Sequence, residues 1–275
     1  MRWISRSYLA LFLGFLYAPI AILMFFSFNA SKGRTFTGFS TRWYVELFHN
    51  GAVLDALITT LVVAFVAAVV ATAMGTAAAI GIEKLGSRLR SGVMNFTYLP
   101  IINPDIITGV SFMLLFVTIQ TGLAKANIDF EFGWLTLILS HITFNVPYVI
   151  LNVLPKLRQM DNSLVDAAMD LGCNRWQAFA KVTIHEIKPG IVAGFLMALT
   201  FSMDDFIVSY FVTGAKHQTL SVLIYSMTKR RVSPEINALS TIIFCVVLAV
   251  LVIYNLMERK KEKQQRLKRT GGGSY

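Results

Sequence analysis

Six stretches of this chain are apolar for long enough to cross a bilayer, and they constrain the fold more than any other feature. They run near Tyr8–Phe28, Asp55–Ile82, Val93–Thr118, Gly133–Leu154, Gly190–Val212 and Ile236–Met257. A hydrocarbon core of about 30 Å takes about 20 helical residues. The runs are continuous and do not alternate with period two, which excludes a transmembrane β-barrel. Composition agrees: 55% of the residues are hydrophobic and 15% charged, against about a quarter charged in soluble domains. That balance also excludes disorder. The reading is an all-α membrane protein with one six-helix domain over residues 1–257 and a basic cytoplasmic tail over 258–275. Arg2 and Arg6 precede the first run as in a signal peptide, but Phe28-Asn29-Ala30 is a poor cleavage site. An uncleaved first helix is expected.

Orientation follows the basic residues. With both termini in the cytoplasm, 17 of the 25 Lys and Arg lie inside and eight outside, and none falls within a span. The net charge of +10 therefore reads as positive-inside bias and not as nucleic-acid binding. The tail from Glu258 is expected to be a simple stop-transfer anchor, with contact to anionic membrane lipid as the alternative. Gly271-Gly272-Gly273-Ser274 reads as a flexible linker. Two cysteines, Cys173 and Cys245, make no disulfide framework.

Small residues at Ala67, Ala71, Gly75 and Ala79 form a smooth face on the second span. Such a seam lets a second helix approach closely. The partner is a neighbouring subunit or another helix of the same chain.

The fourth connection, from Pro155 to Pro189, is long for a loop between spans. Asp161-Asn162 can cap a helix through Val165, Ala168, Met169 and Leu171. Asp166 and Asp170 lie in its early turns, and Gly172 suits its C-terminal cap. A second short helix, Arg175–Val182, is expected before Pro189 opens the fifth span. Two short helices make a rigid knob, suited to transmitting force.

Here the chain resembles a family. Asp166-Ala167-Ala168-Met169-Asp170-Leu171-Gly172 is similar to the EAA loop of ABC-importer permeases, with Asp166 in place of the leading Glu and Ile184-His185 in place of a Leu-Pro. Phe39-Ser40-Thr41-Arg42-Trp43-Tyr44, Asn103-Pro104-Asp105-Ile106, Ser140-His141-Ile142-Thr143-Phe144, Phe201-Ser202-Met203-Asp204-Asp205 and Ser233-Pro234-Glu235-Ile236-Asn237-Ala238 resemble the PotC-type permeases of spermidine/putrescine importers. The resemblance implies a type I importer permease (MetI-like) architecture in the bacterial cytoplasmic, or inner, membrane. It assigns Asp166, Ala167, Ala168, Asp170 and Gly172, within a coupling loop over 156–189, to contact with an ATPase. It implies a sister permease (PotB-like), two ATPase subunits (PotA-like) that carry ATP and Mg, and an extracytoplasmic polyamine-binding protein (PotD-like). Thr219–Arg231 is a docking element for the last. This chain has no phosphate-binding loop, since Gly81 to Gly86 is followed by Ser87 without a lysine. No cofactor, metal or catalytic residue is expected in it.

Three acids fall within spans: Asp105, Asp204 and Asp205. A charge at bilayer centre costs about 2.5–3.5 kcal/mol on insertion scales, so such residues usually face a cavity or a partner. Counted from the helix starts, Asp105 lies about 18 Å deep and the pair about 21–22 Å deep. His141, Asn145, Tyr148 and Asn152 share a face of the fourth span, and Ser202, Asp205 and Ser209 share one of the fifth. Pro100 and Pro104 interrupt the third helix and free carbonyls near Asp105. A path with acids and no Lys or Arg favours cations. Polyamine nitrogens pair with carboxylates and with aromatic faces, for which Tyr148, Phe112 and Phe116 are candidates. Trp43 and Tyr44 in the outer loop either guide substrate or sit as interfacial aromatics. Candidate substrate residues are thus Asp105, Asp204, Asp205, His141, Asn145, Tyr148 and Trp43. Against the importer stand an ATP-independent cation channel or uniporter, and an intramembrane aspartyl protease, whose Gly-x-Gly-Asp signature is absent.

Overall fold

The computed structural model describes residues 2–32, 35–161, 163–214, 216–230, 234–246, 248–249 and 252. Asn162, Ser233, the end of the sixth expected span and the basic tail lie outside these. Among the described residues the chain is helical, with one isolated bridge between Asn29 and Phe39. The helices in order are α1 (Arg2–Ser27), α2 (Arg42–His49), α3 (Gly51–Glu83), α4 (Ser87–Ile102), α5 (Asp105–Ala124) and α6 (Trp134–Gln159). Then come α7 (Ser163–Asp170), α8 (Arg175–Ala178), a π turn (Phe179–Thr183), α9 (Ile184–Asp204), α10 (Ile207–Val212), α11 (Leu220–Arg230) and α12 (Pro234–Val246). Five helical stretches are long and apolar enough to span a membrane: Ser7–Ser27, Gly51–Glu83, Asp105–Ala124, Trp134–Gln159 and Arg175–Asp204. The sixth expected span begins in α12.

Two compact units make up the chain, one from 1–51 and 226–275, the other from Ala52–Tyr225. In the first, the apolar residues of α1 are largely exposed, as a lipid-facing helix requires. Beyond α1 the Asn29 carboxamide organises a turn, donating to the Thr35 carbonyl at 2.9 Å and accepting from the Thr37 N–H at 2.9 Å. Trp43, only 3% exposed, donates its indole N–H to the Asn29 carbonyl at 2.6 Å. The Lys32 ammonium lies 5.3 Å from the centroid of its ring. Tyr44 shares a 2.6 Å hydrogen bond with Ser27. Both expected roles of Trp43, substrate guide and interfacial aromatic, are therefore corrected. Its ring is buried and its one polar atom is engaged, because the turn needs a donor for a buried carbonyl.

In the second unit, the small residues of α3 are buried and pack against α6. A Cβ added at Gly75 would lie 2.6 Å from Val149 Cβ, so only glycine allows this approach. The seam thus closes within the chain. Gly75→Ala is expected to lower unfolding free energy by about 1–3 kcal/mol, the usual penalty of overpacking. Thermal unfolding of the detergent-purified chain measures it, and an unchanged midpoint would mean that α3 and α6 do not pack here. Around this contact Val149, Val153, Leu154, Ile187 and Ala198 form one core cluster. A second gathers Val63, Phe116, Leu137, Val208 and Val212.

Two expected helices are broken, and both breaks line the same cavity. The third span is not continuous. Asn103 and Pro104 are extended, and α5 restarts at Asp105. Proline lacks an N–H and forces its predecessor out of the helix. Pro100 and Pro147 lie inside helices without ending them. The fifth span breaks at Asp205, whose backbone is extended (φ −63°, ψ 126°). The depths counted for continuous helices therefore do not apply. Beyond the breaks α5 packs on α10: a Cβ at Gly109 would lie 2.7 Å from the Phe211 ring.

The expected short helix Arg175–Val182 also differs. α8, the π turn and α9 run on as one 30-residue stretch through Pro189. Ile184-His185 retains the backbone N–H that a proline would remove, so the helix continues.

Candidate functional site

A cavity of about 470 Å³ opens where the two breaks meet. Asp105, Asp204 and Asp205 all line it, with Tyr148 from α6. No Lys or Arg does. Phe144, Phe201 and Phe206 supply its aromatic walls, and Tyr148 packs on Phe201 with ring centroids 4.5 Å apart.

The three carboxylates hold different posts. Asp105 stands in the first turn of α5, where the helix dipole favours an anion. Asp205 caps α10, accepting from the Val208 N–H at 3.2 Å and the Ser209 N–H at 2.7 Å. Its Oδ2 is also 3.6 Å from His141 Nε2. Asp204 is the last residue of α9, at the negative end of a helix dipole that disfavours its charge. Neither it nor Asp105 has a side-chain hydrogen bond or ion pair among the described residues, so Asp204, with the dipole against it, is the acid most in need of a cation.

His141 and Asn145 stand behind the cavity and do not line it. Both are fully buried. His141 Nε2 is 3.1 Å from Ser209 Oγ on α10, and Asn145 donates to Ser202 Oγ on α9 at 2.7 Å. Thr136 adds a 2.8 Å bond to the Val212 carbonyl. The polar stripe of α6 thus clamps both halves of the broken span. The expected substrate contact of His141 and Asn145 is corrected to a positioning role, because a helix interrupted inside an apolar bundle must satisfy its exposed backbone and hydroxyls. Asn152, further along the stripe, donates to the Tyr148 carbonyl at 2.8 Å. Phe116 is buried in the second core cluster, so it offers no face to the cavity. Phe112 lines a neighbouring hollow instead.

Phe144, Phe201 and Phe206 were not among the expected site residues. Phe144 was legible, being one turn from Tyr148. Phe206 was not, because the break at Asp205 turns it inward, where it packs on Tyr225 with centroids 4.7 Å apart. Asp205→Ala is expected to cost about 1 kcal/mol of stability through the lost cap. Asp204→Ala should leave stability within about 0.5 kcal/mol, as for sites away from such features. Parallel thermal melts check the pair, and equal losses would contradict the division of roles.

The second candidate surface is the coupling loop. Ser163, chiefly through its backbone N–H, binds Asp161 Oδ1 at 2.9 Å and holds that carboxyl below the usual aspartate range. This start of α7 therefore keeps its cap on acidification until pH falls through that lowered value. At the other end Gly172 has φ +90°. Its N–H bonds to the Met169 carbonyl at 2.9 Å, and the Cys173 N–H to the Ala168 carbonyl at 3.1 Å. That is a Schellman cap, which glycine adopts without strain. An Asn174/Gln177 capping box starts α8. Leu171 and Trp176, 88% and 80% exposed, project from a knob pinned at both ends.

Residues 71–264 match the family model described as binding-protein-dependent transport system inner membrane component. The chain belongs to that family. It is the transmembrane subunit of an ABC importer, an inner-membrane component whose curated relatives are named as permease proteins. Among curated proteins it is 39% identical over 255 residues to the putrescine transport system permease protein PotI of Escherichia coli K12, covering 91% of this chain and 89% of that one. It is 34% identical over 263 residues to the spermidine/putrescine transport system permease protein PotC of the same organism, covering 95% and 96%. Among solved structures it resembles a bacterial ABC transporter that imports the acidic polysaccharide alginate, with a TM-score of 0.73 at 20% identity over 94% of this chain and 96% of that one. It also resembles a bacterial alginate ABC transporter in complex with an alginate pentasaccharide-bound periplasmic protein, with a TM-score of 0.72 at 20% identity over 94% of this chain and 93% of that one. These structures establish the fold of the importer permease family for this chain.

Proposed function

We propose that this permease moves polyamines, putrescine or spermidine, into the cytoplasm by ATP-driven alternating access. The observation that carries the reading is the cavity with Asp105, Asp204 and Asp205 on its lining, aromatic walls and no basic residue. A flexible ammonium chain fits it chemically, with carboxylates for the nitrogens and aromatic faces for cation–π contact. A volume near 470 Å³ lies within the range of small-molecule sites. The curated relatives' substrates support the same choice.

In this reading a PotD-like binding protein delivers substrate, with α11 as its docking element. A sister permease completes the path. Two ATPase subunits, with ATP and Mg, grip the knob around α7. Their closure opens the cavity outward, and hydrolysis lets it reopen inward. Asp105 and Asp204 bind the ammonium groups, while Asp205, His141 and Asn145 keep the broken span in place.

The apolar knob at Leu171 and Trp176 favours this reading over a channel, which needs no such dock. Asp205's commitment to α10 removes it as half of a proton-sharing dyad, against the protease reading. The test is uptake of labelled putrescine and spermidine into proteoliposomes holding this chain with its operon neighbours, at zero membrane potential, with ATP on either side. Uptake should require ATP on the side of α7, and each polyamine should compete with the other. Uptake without ATP would replace the importer with a channel.

A further inference from the structure

Two arginines converge at the end of the bundle that carries α7. Arg158, from α6, donates through Nε to Glu83 Oε2 at 3.0 Å. Arg90, from α4, lies 3.4 Å from Glu83 Oε1 and donates to the Glu83 and Leu85 carbonyls at 2.5 and 3.2 Å. One carboxylate thus serves two guanidinium groups and leaves a net positive charge. Arg90 Nε is buried and donates to nothing among the described residues.

In front of the pair lies an open cavity of about 460 Å³, lined by Ser87, Arg90, Ser91, Met94, Tyr98 and Arg158. The first five share one face of α4. Hydroxyls and guanidinium stand in its first turns, and Met94 and Tyr98 follow one and two turns further along. Ser87, Ser91 and Tyr98 are exposed, while Met94 packs partly on the core cluster beneath, so this chain covers that face only in part. Its polar start and apolar continuation have the polarity of a phospholipid at a membrane surface.

We propose that this cavity holds the phosphate of an anionic phospholipid, with an acyl chain along Met94 and Tyr98. Guanidinium groups match phosphate oxygens bidentately, and the N-terminus of α4 favours an anion. Basic pockets between spans at a membrane surface bind anionic headgroups in this way. A zwitterionic lipid brings a cation next to two arginines. Free phosphate meets the same polar groups but leaves Tyr98 uncovered. The inference does not depend on polyamine transport.

The test is native mass spectrometry of the full chain, released from detergent containing equal phosphatidylglycerol and phosphatidylcholine. Wild type should retain phosphatidylglycerol about fivefold over phosphatidylcholine, the scale of one basic residue at a surface. Arg158→Gln should erase that preference, and Arg158→Lys should keep most of it. Glu83→Gln should strengthen it by removing the competing carboxylate. Arg158 is half exposed, so its variants are expected to fold, and size exclusion confirms that they do. Equal retention of both lipids by wild type, or a preference indifferent to Arg158→Gln or to Glu83→Gln, would overturn the proposal. Displacement of the lipid by millimolar inorganic phosphate would also overturn it, in favour of a free-phosphate site.

Discussion

Replacing Asp105 and Asp204 together by asparagine is expected to cut ATP-driven polyamine uptake by about 100-fold or more. Truncating one partner of a desolvated charge pair costs about 2–5 kcal/mol, and two ammonium groups would lose their partners. Asparagine preserves shape, so the loss should appear in transport and not in assembly. Asp204→Asn alone should account for most of it, because Asp204 sits at the C-terminal end of α9, whose dipole disfavours its charge, with no partner among the described residues. Asp205→Asn should be much milder, since asparagine caps a helix about as well as aspartate. The measurement is initial uptake rate against concentration in proteoliposomes, with co-purification of partner subunits as the control. A ranking in which Asp205→Asn is the more damaging would transfer the substrate site to Asp205 and refute the assignment of Asp204.

The second large effect is expected at the coupling knob. Leu171→Glu combined with Trp176→Glu should abolish co-purification of the ATPase and all ATP-dependent uptake. Both side chains are more than three-quarters exposed, so the fold should survive the change. Central apolar anchors of an interface contribute about 2–4 kcal/mol each, equivalent to a loss of affinity of about 30-fold to 1,000-fold per residue. Gly172→Val probes the same contact through shape. Its φ of +90° is costly for a branched residue, so the loop must rearrange while its surface chemistry stays apolar. Retained co-purification with both variants would mean that the ATPase docks elsewhere.

Much of the fold was legible in single stretches of sequence. Long apolar runs placed α1, α3 and α6, with ends between one and six residues from those observed. The proline at 104 marked the break in the third span, and Gly172 marked the end of α7. These are local signals, set by side-chain transfer free energy and by backbone geometry within a turn. Other features had no local signal. Nothing near Asp205 announces a helix break, since Met203, Asp204 and Phe206 are all compatible with a continuing helix. The break persists because Asp205 caps the next helix and because α6 receives both halves. Trp43 looked like an exposed interfacial aromatic until its buried bond to Asn29 was seen. The continuous run through His185 was equally hidden, because Pro189 was read as the start of the fifth span and instead lies inside α9.

The sequence by itself determined that this chain spans a membrane, that it belongs with the importer permeases, and that its intramembrane charges are acidic. Those properties depend on composition along a segment and on short motifs. Only the tertiary structure decided which acids are free, which one caps a helix, and that His141 and Asn145 clamp the broken span. The partners of His141 and Asn145 lie 68 and 57 residues away. A polar group inside a bilayer is satisfied by whatever the packing brings within about 3 Å of it. That distance is set by how α6, α9 and α10 meet, and no window of sequence contains it.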